Sequence, residues 1–155
     1  MAQNNLGYAY QHGEGVAKDP YQAVQWYRKA AEQGNASAQN NLGLMYAHGE
    51  GVAKDAAEAV KWYRKAAEKG LDVAQYDLGY MYDNGEGVAK DLYQAVHWYR
   101  KAAEQGNAFA MNNLAVCYEE GVGVAKNLPE AIRLYRQAAD LGSAEARNAL
   151  KRLGY

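Results

Sequence analysis

The sequence has little of several things that would point to particular classes of protein. It holds 1 cysteine in 155 residues, so no intramolecular disulfide can form. Its 17 Lys and Arg stand against 18 Asp and Glu, a formal net charge of -1, which removes the chain-wide basic signal of most nucleic-acid binders. No apolar run approaches the length of a membrane span, so no membrane insertion is expected. Met1-Ala2-Gln3-Asn4-Asn5 has neither the basic region nor the apolar stretch of a targeting segment. The chain as it stands reads as cytoplasmic, while a parent protein could be periplasmic or secreted. At 49% hydrophobic and 23% charged, the composition is that of a folded protein. There are 2 Pro against 16 Gly and 1 Phe against 14 Tyr, and such skews arise when a short pattern is copied.

The copying is explicit. Trp26, Trp62 and Trp98 are 36 residues apart, as are Leu6, Leu42, Leu78, Leu114 and Leu150. Gly13, Gly49, Gly85 and Gly121 keep the same register, as do Tyr27, Tyr63, Tyr99 and Tyr135. One repeat domain, 1–155, is expected, with copies at 2–37, 38–73, 74–109 and 110–145 and a partial, capping copy at 146–155. Copies 1 and 3 are identical at 28 of 36 positions, which fits either recent duplication or a sequence built towards a consensus.

Each unit reads as two helices. Ala2, Leu6, Ala9 and Tyr10 share one face at helical spacing, with Gly7 beside them to permit close helix contact. Gly13 ends that helix, because glycine takes a left-handed C′ conformation at little cost. After a loop in which Val16 points to the core, the second helix opens on a capping box: Asp19 with Gln22, Asp55 with Glu58, Asp91 with Gln94, Asn127 with Glu130. Ala23, Val24, Trp26, Tyr27, Ala30 and Ala31 make its apolar stripe, and Gln25, Arg28, Lys29 and Glu32 its polar back. Asn35, Asn107 and Ser143 cap the next first-type helix, and Asp72 takes that role where Leu71 interrupts the pattern. A single hairpin cannot bury both stripes, whereas stacked hairpins can. The expected fold is all-α, a solenoid of antiparallel helix pairs, closed by a helix at about Ala144 to Leu153.

Ala2, Leu6, Gly7, Tyr10, Gly13, Gly15, Val16, Asp19, Ala23, Trp26, Tyr27, Lys29, Ala30, Ala31 and Gly34 form a pattern that resembles the Sel-one-like repeat (SLR) family, relatives of tetratricopeptide repeats. Copy 4 departs from it at Ala115, Asn127, Leu134 and Gln137. The resemblance implies a right-handed α/α superhelix whose first-type helices line the inner surface. It also implies a scaffold or adaptor for protein complexes, often bacterial.

Differences between copies suggest where a partner would sit. Ser37/Phe109, Asn4/Tyr76, Asn5/Asp77, Gln11/Asp83 and His12/Asn84 separate copies 1 and 3, and all surround the face opposite Leu6 and Tyr10. The recurring back residues Arg28, Lys29 and Glu32 do not drift in the same way. The expected partner-binding set is Asn4, Asn5, Tyr8, His12, Asn40, Asn41, Leu44, His48, Tyr76, Asp77, Tyr80, Asp83, Phe109, Asn112, Asn113 and Glu119. A row of asparagines offers donors and acceptors to a peptide backbone, and Tyr8, Tyr76, Tyr80 and Phe109 add aromatic area. Asp77, Asp83, Glu119 and Glu120 would favour a basic segment at the C-terminal end.

Chemistry for catalysis is absent from the pattern. His12 and His48 lack predictable companion ligands, so no metal is expected. Cys117 occupies the core slot of Ala9, Met45 and Met81. Gly13-x-Gly15 recurs in every copy and follows no strand, so it reads as a turn and not a phosphate loop. No cofactor is expected. The leading reading is a non-enzymatic module holding a peptide or partner segment. A second is cell-wall-fragment or β-lactam binding or hydrolysis, by analogy with cysteine-rich members of the family. A third is an engineered consensus scaffold, and a fourth is end-to-end self-association.

Overall fold

The computed structural model describes residues 2–155. Its described residues form nine helices and no strand: α1 (Ala2–His12), α2 (Pro20–Glu32), α3 (Ala36–His48), α4 (Ala56–Glu68), α5 (Asp72–Asn84), α6 (Leu92–Glu104), α7 (Ala108–Glu120), α8 (Leu128–Asp140) and α9 (Ala144–Leu153). The closing helix has the bounds its sequence announced. Ser143 caps its start through Ala146 N–H, and Gly154, left-handed at φ 85°, ends it.

The boxes that open the second-type helices are only half formed. Asp19 Oδ1 accepts from Gln22 N–H at 3.1 Å, and Asp55, Asp91 and Asn127 do the same for Glu58, Gln94 and Glu130. The returning bond from the third side chain is replaced. Each capping residue's own N–H donates to the first helix of its pair: Asp19 to Tyr10 O at 2.8 Å, Asp55 to Tyr46 O, Asp91 to Tyr82 O, Asn127 to Tyr118 O. A loop that folds back onto its own hairpin satisfies that donor better than a mobile side chain can. The freed Glu58 and Glu130 pair along their helices with Lys61 and Arg133. Asp72 lies inside the first turn of α5 rather than before it.

The chain forms two compact units, one running up to Ala74 with Glu86–Val88, the other made of Gln75–Gly85 and Ala89–Tyr155. In the first, Ala23, Val24, Tyr27, Ala30, Ala31, Ala38, Leu42 and Met45 form a core bordered by Tyr10, Tyr46, Val52 and Trp62. In the second, residues of α6, α7 and α8, with Ala146 of α9, form its counterpart, bordered by Tyr76, Tyr82 and Val124.

The tyrosine of the Trp-Tyr pair, more than the tryptophan, is the buried anchor. Tyr27 and Tyr99 are fully buried, while Trp26 and Trp62 are half-buried. Their space comes from glycine: a Cβ on Gly7 would stand 2.6 Å from the Tyr27 ring, and one on Gly43 or Gly79 would stand 2.8 Å from Tyr63 or Tyr99. The second loop glycine has a different duty. Gly51 has φ 67°, and a Cβ there would meet the Pro20 carbonyl oxygen at 2.2 Å; Gly87 and Gly123 press likewise on Ala56 and Leu92. In copies 2 to 4 the Gly-x-Gly motif is thus a docking joint between loop and neighbouring helix start, while a Cβ on Gly15 would meet no described residue.

Candidate partner-binding site

Each core tyrosine brings a hydroxyl out of the apolar interior, and a buried hydroxyl needs a partner. Tyr27 donates to Gln11 Oε1 at 2.7 Å, Tyr99 to Asp83 Oδ2 at 3.2 Å, and Tyr135 to Glu119 Oε2 at 2.8 Å. Burial pushes the Tyr27 hydroxyl up to about 12 and raises Tyr99 and Tyr135 further, so all three stay protonated donors. The variable position 11, 83, 119 is therefore an acceptor position, and each of these three copies fills it with an oxygen.

In the first unit the expected set lies on α1 and α3. Asn5, Tyr8 and His12 are exposed, Tyr8 at 45%, with His48 exposed and Asn4, Asn41 and Leu44 half-buried. Asn41 Nδ2 donates to Asn4 Oδ1 at 3.2 Å, so these amides are turned toward each other. Tyr8 and His12 lie ring to ring, 4.1 Å between centroids. Asn40 is only 6% exposed, beneath the surface, and its Oδ1 has no hydrogen-bond partner among the described residues. Among the described residues no three His, Cys, Asp or Glu gather as a metal site.

In the second unit the set lies on α5 and α7. Tyr80 is 43% and Phe109 65% exposed, and Tyr76 and Phe109 lie 5.8 Å apart. Asn113 reaches the hydroxyls of Tyr76 and Tyr99, and Asn112 is half-buried beside it. Asp77 is half-buried, and burial pushes its carboxyl up to about 7. Asp83, Asn113, Val116, Cys117, Glu120 and Val122 line a pocket of about 220 Å³. Among the described residues no cation pairs with Asp77, Asp83 or Glu120. Glu119 differs: Arg152 grips it through both nitrogens, at 2.7 and 2.9 Å, and this guanidinium holds its carboxyl below the usual carboxylate range. Arg152, in the last turn of α9, is thereby what removes Glu119 from the free acidic set. Cys117 is buried and its thiol pushed up to about 11, the condition of a core group.

Two features of the polar back escaped the sequence. Arg28 donates to Tyr46 Oη at 2.6 Å and Arg100 to Tyr118 Oη at 3.1 Å. Lys29, Lys65 and Lys101 lie over Trp26, Trp62 and Trp98 at 4.4, 4.3 and 4.9 Å. Their recurrence every 36 residues was the available signal. It also changes the comparison of faces, because Arg28 and Lys29 are fixed by contacts and not idle surface.

The family model of the Sel1 repeat matches residues 1–35, 36–71, 72–107 and 108–143. Among solved structures, the chain is similar to c5321, a protective antigen of uropathogenic Escherichia coli strains displaying an SLR fold: 46% identity, TM-score 0.93, covering 96% of this chain and 32% of that one. It is similar to a Sel1 repeat protein of Oxalobacter formigenes, with 44% identity, TM-score 0.91 and coverage of 97% and 61%. Cysteine-rich protein B of Helicobacter pylori is 29% identical, with TM-score 0.67 and coverage of 86% and 96%. The chain thus spans about a third of the first protein and three fifths of the second. No curated protein sequence matches it.

Proposed function

The chain belongs to the Sel1 repeat family of helical scaffolds, which are generally non-catalytic and typically serve protein interaction, and from that premise we propose that it is an adaptor whose first-type helices hold a peptide segment of a partner. One observation carries this reading. On α5 and α7 the exposed Tyr80 and Phe109 share a face with Asp83 and Glu120, which no cation among the described residues neutralises. Aromatic area beside uncompensated carboxylates suits a segment carrying Lys or Arg, whose aliphatic stem covers the rings while its charge meets the acids. The α1 and α3 face, with Asn5, Tyr8 and His12 exposed, suits a neutral stretch. Both faces stand on buried Tyr–Gly joints, so little ordering is needed on binding.

Selection from a displayed random-peptide library, followed by titration calorimetry, tests the proposal. The expected ligands contain Lys or Arg, and their affinity falls by about tenfold or more in Tyr80→Ala/Phe109→Ala, on the scale of aromatic interface anchors. Ligands that bind this folded variant equally well, or selections that return acidic sequences, would overturn it.

A further inference from the structure

In the first unit a shallow groove of about 450 Å³ runs between α2 and α4, on the side of the second-type helices, walled by Trp62 and by Glu32, Lys65, Glu68 and Lys69. Gln39 also lines it. This residue is 4% exposed; its Nε2 donates to Ala31 O at 3.0 Å, and its Oε1 has no donor among the described residues. A buried acceptor without a donor is unfavourable and rare in native proteins.

The other copies show what belongs there. Gln33 Nε2 donates to Gln3 Oε1 at 3.0 Å, and Gln105 Nε2 donates to Gln75 Oε1 at 2.8 Å. Both pairs join residues 30 apart, a position at a helix C-cap to a position in the hairpin's first helix. In copy 4 the same two positions hold Met111 and Leu141, so acceptor and donor are both gone. Copy 2 alone keeps the acceptor, Gln39, and replaces the donor with Lys69. Lys69 Nζ turns instead toward Gly34, 3.3 Å from where a Cβ would stand, and takes part in no ion pair among the described residues.

We infer that this groove is a second binding site, and that it takes the side-chain carboxamide of a glutamine from a partner peptide. The amide N–H donates to Gln39 Oε1, as Gln33 and Gln105 do in their own copies. The amide oxygen accepts from Lys69 Nζ. The methylenes lie along Trp62 and the stem of Lys65, whose ammonium sits over the Trp62 ring at 4.3 Å. Lys65 and Lys69 balance Glu32 and Glu68 in the lining, so a neutral, dipolar group suits the groove better than an ion.

The probe is the blocked peptide acetyl-Ala-Gln-Ala-amide, titrated into the full chain while nitrogen-15 NMR follows the indole N–H of Trp62 and the side-chain amide of Gln39. Trp26 and Trp98 serve as internal references. A saturable shift confined to Trp62 and Gln39 is expected, weakened at least about tenfold when Glu or Leu replaces the peptide's Gln. Lys69→Gln rebuilds the internal pair of copies 1 and 3, so it is expected to abolish the shift while the melting temperature holds or rises. Four results overturn the inference: no saturable shift at Trp62 up to about 10 mM peptide, equal binding of the Glu peptide, undiminished binding by Lys69→Gln, or a free chain in which Lys69 Nζ already donates to Gln39 Oε1. Binding by the Gln peptide that persists in Tyr80→Ala/Phe109→Ala separates this site from the first-helix face.

Discussion

The two units carry the same repeat and present different chemistry on their first-type helices. On α1 and α3 the amides of Asn4 and Asn41 bond to each other, and the exposed aromatic, Tyr8, lies against His12. On α5 and α7 a Tyr76–Phe109 pair sits beside carboxylates, of which Arg152 neutralises only Glu119. The joint beneath is nevertheless common to both: a buried tyrosine laid over a glycine, with its hydroxyl bonded to an acceptor on the first helix of its hairpin. The lesson is that frame and surface are separable only in part. The substitution at position 12 of the copy alters the surface alone, whereas Tyr76 at position 4 lies 6.0 Å from the Tyr99 ring, Asn113 at position 5 reaches the Tyr99 hydroxyl, and position 11 is tied to the joint as its acceptor.

The sharpest test of a common joint deletes it in each unit. Tyr27→Ala and Tyr99→Ala are each expected to cost about 3–5 kcal/mol, the loss typical of removing a large buried aromatic. Urea unfolding followed by far-ultraviolet circular dichroism measures both. Similar losses sustain the comparison; a loss in one unit alone breaks it.

The next test addresses the surface that differs. Asp77 stands where the other copies carry Asn5, Asn41 and Asn113. Its folded carboxyl titrates near 7, above the ordinary 3.8. The unfolded chain therefore ionises first, and this residue's contribution to stability is full below about pH 4 and lost as pH rises to about 7. Asp77→Asn is expected to leave stability almost unchanged near pH 4 and to raise it by about 1–3 kcal/mol at pH 8. Denaturation at the two pH values checks this. Equal curves for wild type and variant at both would show that Asp77 is well hydrated.

The smallest expected effect separates neutral from charged acceptors. Tyr27→Phe removes a donor from the Gln11 amide and is expected to cost about 0.5–1.5 kcal/mol. Tyr135→Phe removes one from the Glu119 carboxylate, and bonds to charged groups are worth about 1.5–3 kcal/mol. Arg152 remains on Glu119, which places the expected cost toward the lower end of that range. Thermal unfolding of the two variants gives the order, and a reversed order would mean that acceptor charge does not distinguish the units.

Much of the architecture was legible before any coordinates. The 36-residue register gave the helix pairs, Asn35, Asn107 and Ser143 gave starts, and the closing helix, expected at about Ala144 to Leu153, spans those residues. Gly7 as a point of close approach was legible too, since only a missing side chain explains a glycine in an apolar stripe. The candidate site was less so. Asn40 fits the surface pattern but is buried. Glu119 looked like a free acid until Arg152, 33 residues on, was found gripping it. The capping boxes looked reciprocal, yet the N–H of Asp19 prefers Tyr10 O.

What the sequence determined by itself is everything that depends on local periodicity and short-range bonding. Helical spacing, a cap three residues from its donor and glycine at a left-handed turn act over one or two turns of chain, where neighbours in sequence are neighbours in space. What only the tertiary structure decided is which polar atoms meet across helices. The pairing of Tyr27 with Gln11, of Arg28 with Tyr46 and of Gln33 with Gln3, and the lack of such a pairing for Gln39 Oε1 among the described residues, depend on distances between side chains 16 to 30 residues apart. Periodicity says that such residues recur; only the packed geometry shows whether a donor reaches an acceptor, because a hydrogen bond is lost within a fraction of an ångström or a few tens of degrees.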